Sequence, residues 1–319
     1  MAVIRTVTGA VEPSAAGVTL MHEHLMFGYT GWHWDTTFTL DREQALAEVV
    51  AELRALKAAG GATVVDVTPI CSGRDVDFLV RAAKESGVQI VACTGFWSQL
   101  GMPTHFQRKT VDELEDIFVR ELSQGMAATA VPAGIIKVGT MGEHMTEPEH
   151  RLFQAAARAS VRTGATVTTH VSSHLPSPVG VIPAREQLKV LLDEERMNPS
   201  RVVIGHCDAV HVPEYHLEVV QRGVYAAFDH ICDEQGAFYS LPDDRRIRWV
   251  LELLEAGYER QLLFSTDRIA IRLAAPQRQR HTLADLVTRF LPKLKKAGVG
   301  EKTLHTIMVE NPQRALAMP

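Results

Sequence analysis

Eight times along its length the sequence passes from a short apolar, β-branched run into a longer stretch, and this alternation constrains the fold more than any other feature. The runs are 18–26, 62–68, 88–95, 134–140, 166–171, 202–207, 224–231 and 262–267. Each is apolar on both faces or nearly so, as parallel strands covered by helices must be. Helix signals lie between them. Residues 41–59 start at Asp41, place Leu46, Val49, Val50 and Leu53 on one face, and stop at Gly60 and Gly61. Thr110 and Glu113 make a capping-box pair at the head of 110–125. Further helical patterns cover 148–162, 183–196, 213–222, 242–256 and 283–297, several with Pro in the first turn. The units predict an α/β chain folded as a single (β/α)8 TIM-type barrel, one domain over 1–319. The competing doubly wound sheet would need a GxGxxG after the first strand, and none is there.

Charge narrows the partners. The net charge is −5, with Lys and Arg scattered along the chain, which argues against nucleic acid or an anionic membrane surface. The N-terminus shows no secretory pattern, and nowhere do about 18 apolar residues run together. The four cysteines are far apart and form no CxxC pair. Reduced thiols in the cytoplasm are therefore expected, without a zinc ribbon.

The chemistry is concentrated where strands end. His22 and His24 flank Glu23 at the end of the first run. Residues two apart on a strand face one side, so the two imidazoles project together while Glu23 points away. An isolated HxH could equally be two unrelated histidines. His170 ends the fifth run, His206 lies near the end of the sixth, and Asp267 ends the eighth. In a barrel these ends form one rim. Four imidazoles and a carboxylate converging there would be costly to bury unless they shared a cation. Lys137 sits in the apolar fourth run with no acidic neighbour in sequence. A buried amine of this kind tends to lose its proton, and near two metals it can add carbon dioxide to become an anionic carbamate. A salt-bridged barrel lysine and a Schiff-base lysine are the alternatives.

His22-x-His24, Gly-Ile-Ile-Lys137, Thr-Thr-His170, Ile-Gly-His206 and Ser-Thr-Asp267 together closely resemble the phosphotriesterase family of the amidohydrolase superfamily, which includes phosphotriesterase-like lactonases. The resemblance runs from about Gly9 to Pro312 and includes stretches without ligands, such as Gly73-Arg74-Asp75-Val76 and Asn198-Pro199-Ser200-Arg201. It implies a binuclear metal hydrolase and a homodimer. It implies that His22, His24 and Asp267 hold the more buried ion and His170 and His206 the more exposed one. Carboxylated Lys137 and a hydroxide would bridge the two. Asp267 would take the proton as the hydroxide attacks, and His230 would pass it outward toward Asp208. The family often shows a second acid after the first, but here Ala209 follows Asp208, so the relay would be shorter.

Zinc suits these donors best, with cobalt, manganese and iron also compatible. A small-molecule ester is the expected substrate. Phe96, Trp97, Trp32 and Arg268 are the candidate substrate contacts. In the family, tryptophan at the position of Trp97 goes with organophosphate cleavage and tyrosine with lactonases. The expected activity is therefore hydrolysis of neutral phosphotriesters or bulky esters, with a lactonase or amidase as the alternative. A silent binding protein is disfavoured because Lys137 and all the other ligands are present. The loop 268–280 carries Arg268, Arg272, Arg278 and Arg280, a rim that could be solvated or could bind an anionic tail. His144 and His174 are possible pocket residues. His211, His216, His281 and His305 are expected at the surface, and Cys207 in the core.

Overall fold

The computed structural model describes residues 2–171, 181–210, 212–234 and 241–319. Strands β1 (Ile4–Thr6) and β2 (Gly9–Val11) form an antiparallel hairpin ahead of the first expected strand. Then follow β3 (Val18–Phe27), β4 (Gly61–Asp66), β5 (Gln89–Gly95), β6 (Ile135–Thr140), β7 (Val167–Val171), β8 (Val202–Ile204), β9 (Tyr225–Phe228), β10 (Leu262–Phe264) and β11 (Ile269–Arg272). These nine make one parallel sheet in the order β10-β9-β8-β7-β6-β5-β4-β3-β11. Helices flank it, so the architecture is the expected α/β barrel.

The eighth strand is broken in two, and the break closes the barrel. β10 pairs with β9, whereas β11, only a few residues later, pairs with β3. One stretch of chain thus joins the two sides of the sheet. Within the break, the Asp267 N–H donates to the His22 carbonyl at 3.2 Å and the His24 N–H donates to the Arg268 carbonyl at 2.8 Å. Glu23, buried behind the rim, accepts from Ser265 Oγ at 2.8 Å, Thr266 N at 2.9 Å and Arg268 N at 2.7 Å. The glutamate of the HxH motif does point away from the site, and there it fastens the ends of the sheet together.

Side chains alternate between two cores. Met21, Val65, Val91, Ile135, Val203 and Leu263 pack inside the barrel. Leu20, Val64, Ile90, Ile136, Ile204 and Phe264 pack between sheet and helices. Burying each side chain of this size contributes roughly 1.5–3 kcal/mol, so the period of two is enforced on both faces. β3 departs from it. With Leu20 outward and Met21 inward, an unbroken alternation would turn His22 outward. The register is irregular between Leu20 and Glu23, and that bulge brings His22 and His24 to the inner face together.

Helix starts follow their caps. Arg42–Ala58 opens with the Asp41 side chain accepting from the Gln44 N–H and buries Leu46, Val49, Val50 and Leu53. Val111–Ser123 carries the Thr110–Glu113 capping box. A helix outside the expected set, Val76–Ser86, is capped by Asp75. β8 and β10 stop short of the expected ends, and beyond them His206 and Asp267 adopt left-handed backbone conformations, with φ of 56° and 48°.

Candidate metal centre

Six chemically active side chains meet at the floor of a cavity of about 290 Å³, namely His24, Lys137, His170, His206, His230 and Asp267. His22 lies directly beneath them, its Nε2 2.8 Å from Nζ of Lys137. Lys137 is also 3.3 Å from the Thr169 carbonyl. His22 and His24 reach the floor from β3, Lys137 from β6 and His170 from β7, while His206, His230 and Asp267 come from the chain leaving β8, β9 and β10. On β6, Ile136 and Val138 pack outward, so Lys137 between them must point in.

Two subsets separate by distance. Nε2 of His24 lies 3.3 Å and Nε2 of His22 3.7 Å from Oδ1 of Asp267. That oxygen is buried and has no hydrogen-bond donor among the described residues. On the other side, Nδ1 of His170 is 2.7 Å from Nε2 of His206. Burial pushes the His22 imidazole down to about 3 and that of His170 well below the usual range. Both are therefore neutral, with lone pairs to offer. Burial also lowers Lys137 to about 8, against the pull of Asp267 and Asp229. Neutral imidazoles, an acceptor-only carboxylate oxygen and a deprotonatable amine buried together are costly unless they share a partner. They fit divalent cations bound through nitrogen and oxygen.

Non-glycine residues with positive φ are sparsely populated and cost of order 1–3 kcal/mol each. Two of them, His206 and Asp267, belong to this centre. The surroundings over-determine both. The His206 N–H donates to both Asp229 oxygens at 3.0 Å, and the Asp267 N–H is held by His22.

Around the ligands lies a shell that sequence reading only partly caught. Asp229 is fully buried and sits 2.7 Å from Nδ1 of His206. Its other oxygen is 2.9 Å from Nδ1 of His22, close but off the line of a hydrogen bond. His230 stands between Asp267, 3.4 Å from its Nε2, and Asp208, 3.4 Å from its Nδ1. Arg246, fully buried, donates from Nε to Asp208 at 2.7 Å. Neither Asp229 nor Arg246 was singled out in the sequence. The only signal for Asp229 was its place immediately before His230, at a strand end.

The walls above the floor are Phe27, Tyr29, Trp97, Leu100, Met141 and Ile269. Trp97 meets His170 edge to face at 5.5 Å. Gly95 sets its path, because a Cβ there would lie 2.0 Å from the Lys137 carbonyl. Three expected substrate contacts are elsewhere. Phe96 follows the inward-turning chain on its outer side and is buried against Phe106 and Phe118. Trp32 packs on Phe38 and lines a separate surface depression with Trp34. Arg268 turns away to an ion pair with Glu52 at 2.9 Å.

Other histidines also move. His216 and His281 are buried, not superficial: the first donates to the Cys207 carbonyl at 2.8 Å, the second to that of Thr266 at 3.1 Å. His144 is exposed and pairs with Glu186 at 2.8 Å. His305 is exposed and Cys207 buried. His174 and His211 lie outside the described residues. All four cysteines are free thiols. Among the described residues no helix is long and apolar enough to cross a membrane.

The chain matches the model of the phosphotriesterase family over residues 2–316. A phosphotriesterase homology protein of Escherichia coli (strain K12) is 31% identical over 299 residues, covering 93% of this chain and 97% of its own. A variant organophosphorus hydrolase from Deinococcus radiodurans has a similar structure, with a TM-score of 0.89, 34% identity, and coverage of 98% of this chain and 97% of its own. A variant PTE-like lactonase from the same organism has a TM-score of 0.89 at 32% identity, with coverage of 98% and 99%.

Proposed function

We propose that this chain, which belongs to the phosphotriesterase family and is a hydrolase, cleaves esters with bulky apolar groups, neutral phosphotriesters among them. The observation that carries this reading is the pairing of a floor of histidines, Asp267 and Lys137 with an aromatic wall in which Trp97 stands edge-on to His170. His22, His24 and Asp267 would hold one divalent ion and His170 and His206 a second. Lys137 would serve both if its neutral amine added carbon dioxide, the new N–C bond forming as a proton leaves. Two such ions, zinc first with cobalt, manganese and iron fitting the same donors, supply Lewis-acid polarisation of the ester oxygen and an acidified water.

The chain's own groups do the rest. Asp267 Oδ2 faces His230 Nε2 and is placed to pass on a proton. His230 in turn faces Asp208, whose charge Arg246 holds in place. Phe27, Trp97 and Leu100 exclude water and pack the alkyl or aryl groups of the substrate. Tyr29 brings a phenol into the same wall, in ring contact with Trp97 at 6.1 Å. That donor favours a second reading, a lactone ring as substrate; an amide is a variant of it on the same floor. The proposal also takes the chain as one hydrolase domain over 1–319, a cytoplasmic homodimer acting on small molecules. Trp34, 75% exposed, is compatible with such an interface.

The test is kcat/KM of the zinc- or cobalt-loaded protein for paraoxon, a homoserine lactone and an aryl ester. A lead for paraoxon or the aryl ester supports the first reading, and a lead for the lactone the second. Protein with two ions bound that turns over none of the three would overturn both.

A further inference from the structure

Four arginines follow Asp267 in the sequence, and the tertiary structure separates them. Arg268 is tied to Glu52 behind the rim. Arg278 and Arg280 are exposed and do not line the cavity. Arg272 does line it. The reason is the strand that the break in the barrel creates. In β11, Ile269 pairs with His24 and Arg272 with Phe27. The backbone of Arg272 therefore stands three residues above the level of His24, roughly 10 Å of strand.

Arg272 is half-buried beside Phe27, Tyr29 and Ile269. A cation on a largely apolar wall interacts more strongly with an incoming charge than one in open water. Its planar fork matches a carboxylate with two parallel bonds. The floor already supplies the groups that engage a neutral reacting centre, so a charge at Arg272's height addresses the opposite end of a bound molecule.

We propose that Arg272 binds a carboxylate at the far end of the substrate. The site then selects esters that are neutral where they react and anionic about one acyl chain away. This inference rests on reading the floor as an ester-hydrolysing centre.

The experiment compares mono(4-nitrophenyl) adipate with 4-nitrophenyl hexanoate, esters of equal chain length that differ in the terminal carboxylate, on the metal-loaded full chain. The expected result is a kcat/KM ratio favouring the adipate by about tenfold or more, arising in KM, as a charge-assisted pair would give. Arg272→Gln removes that preference, Arg272→Lys keeps part of it, and Arg278→Gln leaves it in place. A wild-type ratio near one, or a ratio that Arg272→Gln does not change, overturns the inference while the hydrolase reading stands. If neither ester is cleaved, the reading of the floor as a centre for aryl esters fails. Binding of the two matching anilides, followed by tryptophan fluorescence, then decides on Arg272 by the same ratio.

Discussion

The Asp229 carboxylate lies 2.7 Å from Nδ1 of His206 and reaches Nδ1 of His22 at 2.9 Å with its second oxygen. One buried side chain thus hydrogen-bonds a candidate ligand of one ion and lies against a candidate ligand of the other. Carboxylates behind ligating histidines fix ring orientation and raise basicity, and losing one typically costs about 10–100-fold in metal affinity. Asp229→Asn is expected to weaken both ions by that amount. Chelator competition measures it, and retention of both ions at wild-type affinity would remove Asp229 from this role.

Lys137 should be needed for metal as well as for turnover. Lys137→Ala is expected to retain fewer than two ions per chain and to lose hydrolysis. With labelled carbon dioxide, the wild-type protein should show a carbamate carbon signal that the variant lacks. Two ions and full turnover in Lys137→Ala would refute the carbamate.

His230 gives a pH signature in metal-stripped protein. Burial opposes its charge, but Asp208 and Asp267 outweigh burial and raise it from 6.5 to about 10. A raised histidine stabilises the fold fully below pH 6.5 and loses that contribution as pH rises through about 10. The thermal midpoint of stripped protein should therefore fall across this window, and His230→Gln should flatten the fall. Parallel curves for the two proteins would mean that His230 is neutral throughout.

Arg246 is a stability residue for the proton path. It is fully buried between Asp208 at 2.7 Å and Asp243 at 3.2 Å. Arg246→Met leaves Asp208 without its cation, and breaking such a pair costs about 3–5 kcal/mol. Chemical denaturation should show the loss, and adding Asp208→Asn should restore part of it. A variant as stable as the wild type would contradict the assignment.

The barrel was legible in the sequence because a parallel strand buried on both faces leaves an apolar run that polar helices and loops interrupt. The convergence of the candidate ligands was legible because His and Asp at the ends of such runs have no cheap structural reason to be there. Trp97 lines the cavity and Phe96 does not because neighbours on an extended chain face opposite ways, and sequence does not say which faces in. His216 and His281 were misplaced because burial depends on what lies across from a helix or loop.

By itself, then, the sequence determined the strand–helix order, the candidate ligand set and the family resemblance, all of which follow from local period and residue type. Tertiary structure alone decided three things. It set the phase of β3, where a bulge turns His22 inward. It split the last strand between β9 and β3, with Glu23 as the clasp. It brought Asp229 and Arg246 up behind the candidate ligands and Arg272 to the cavity wall. These depend on pairing and burial between residues far apart in the chain, and a linear pattern carries no record of distances that only closure of the barrel creates.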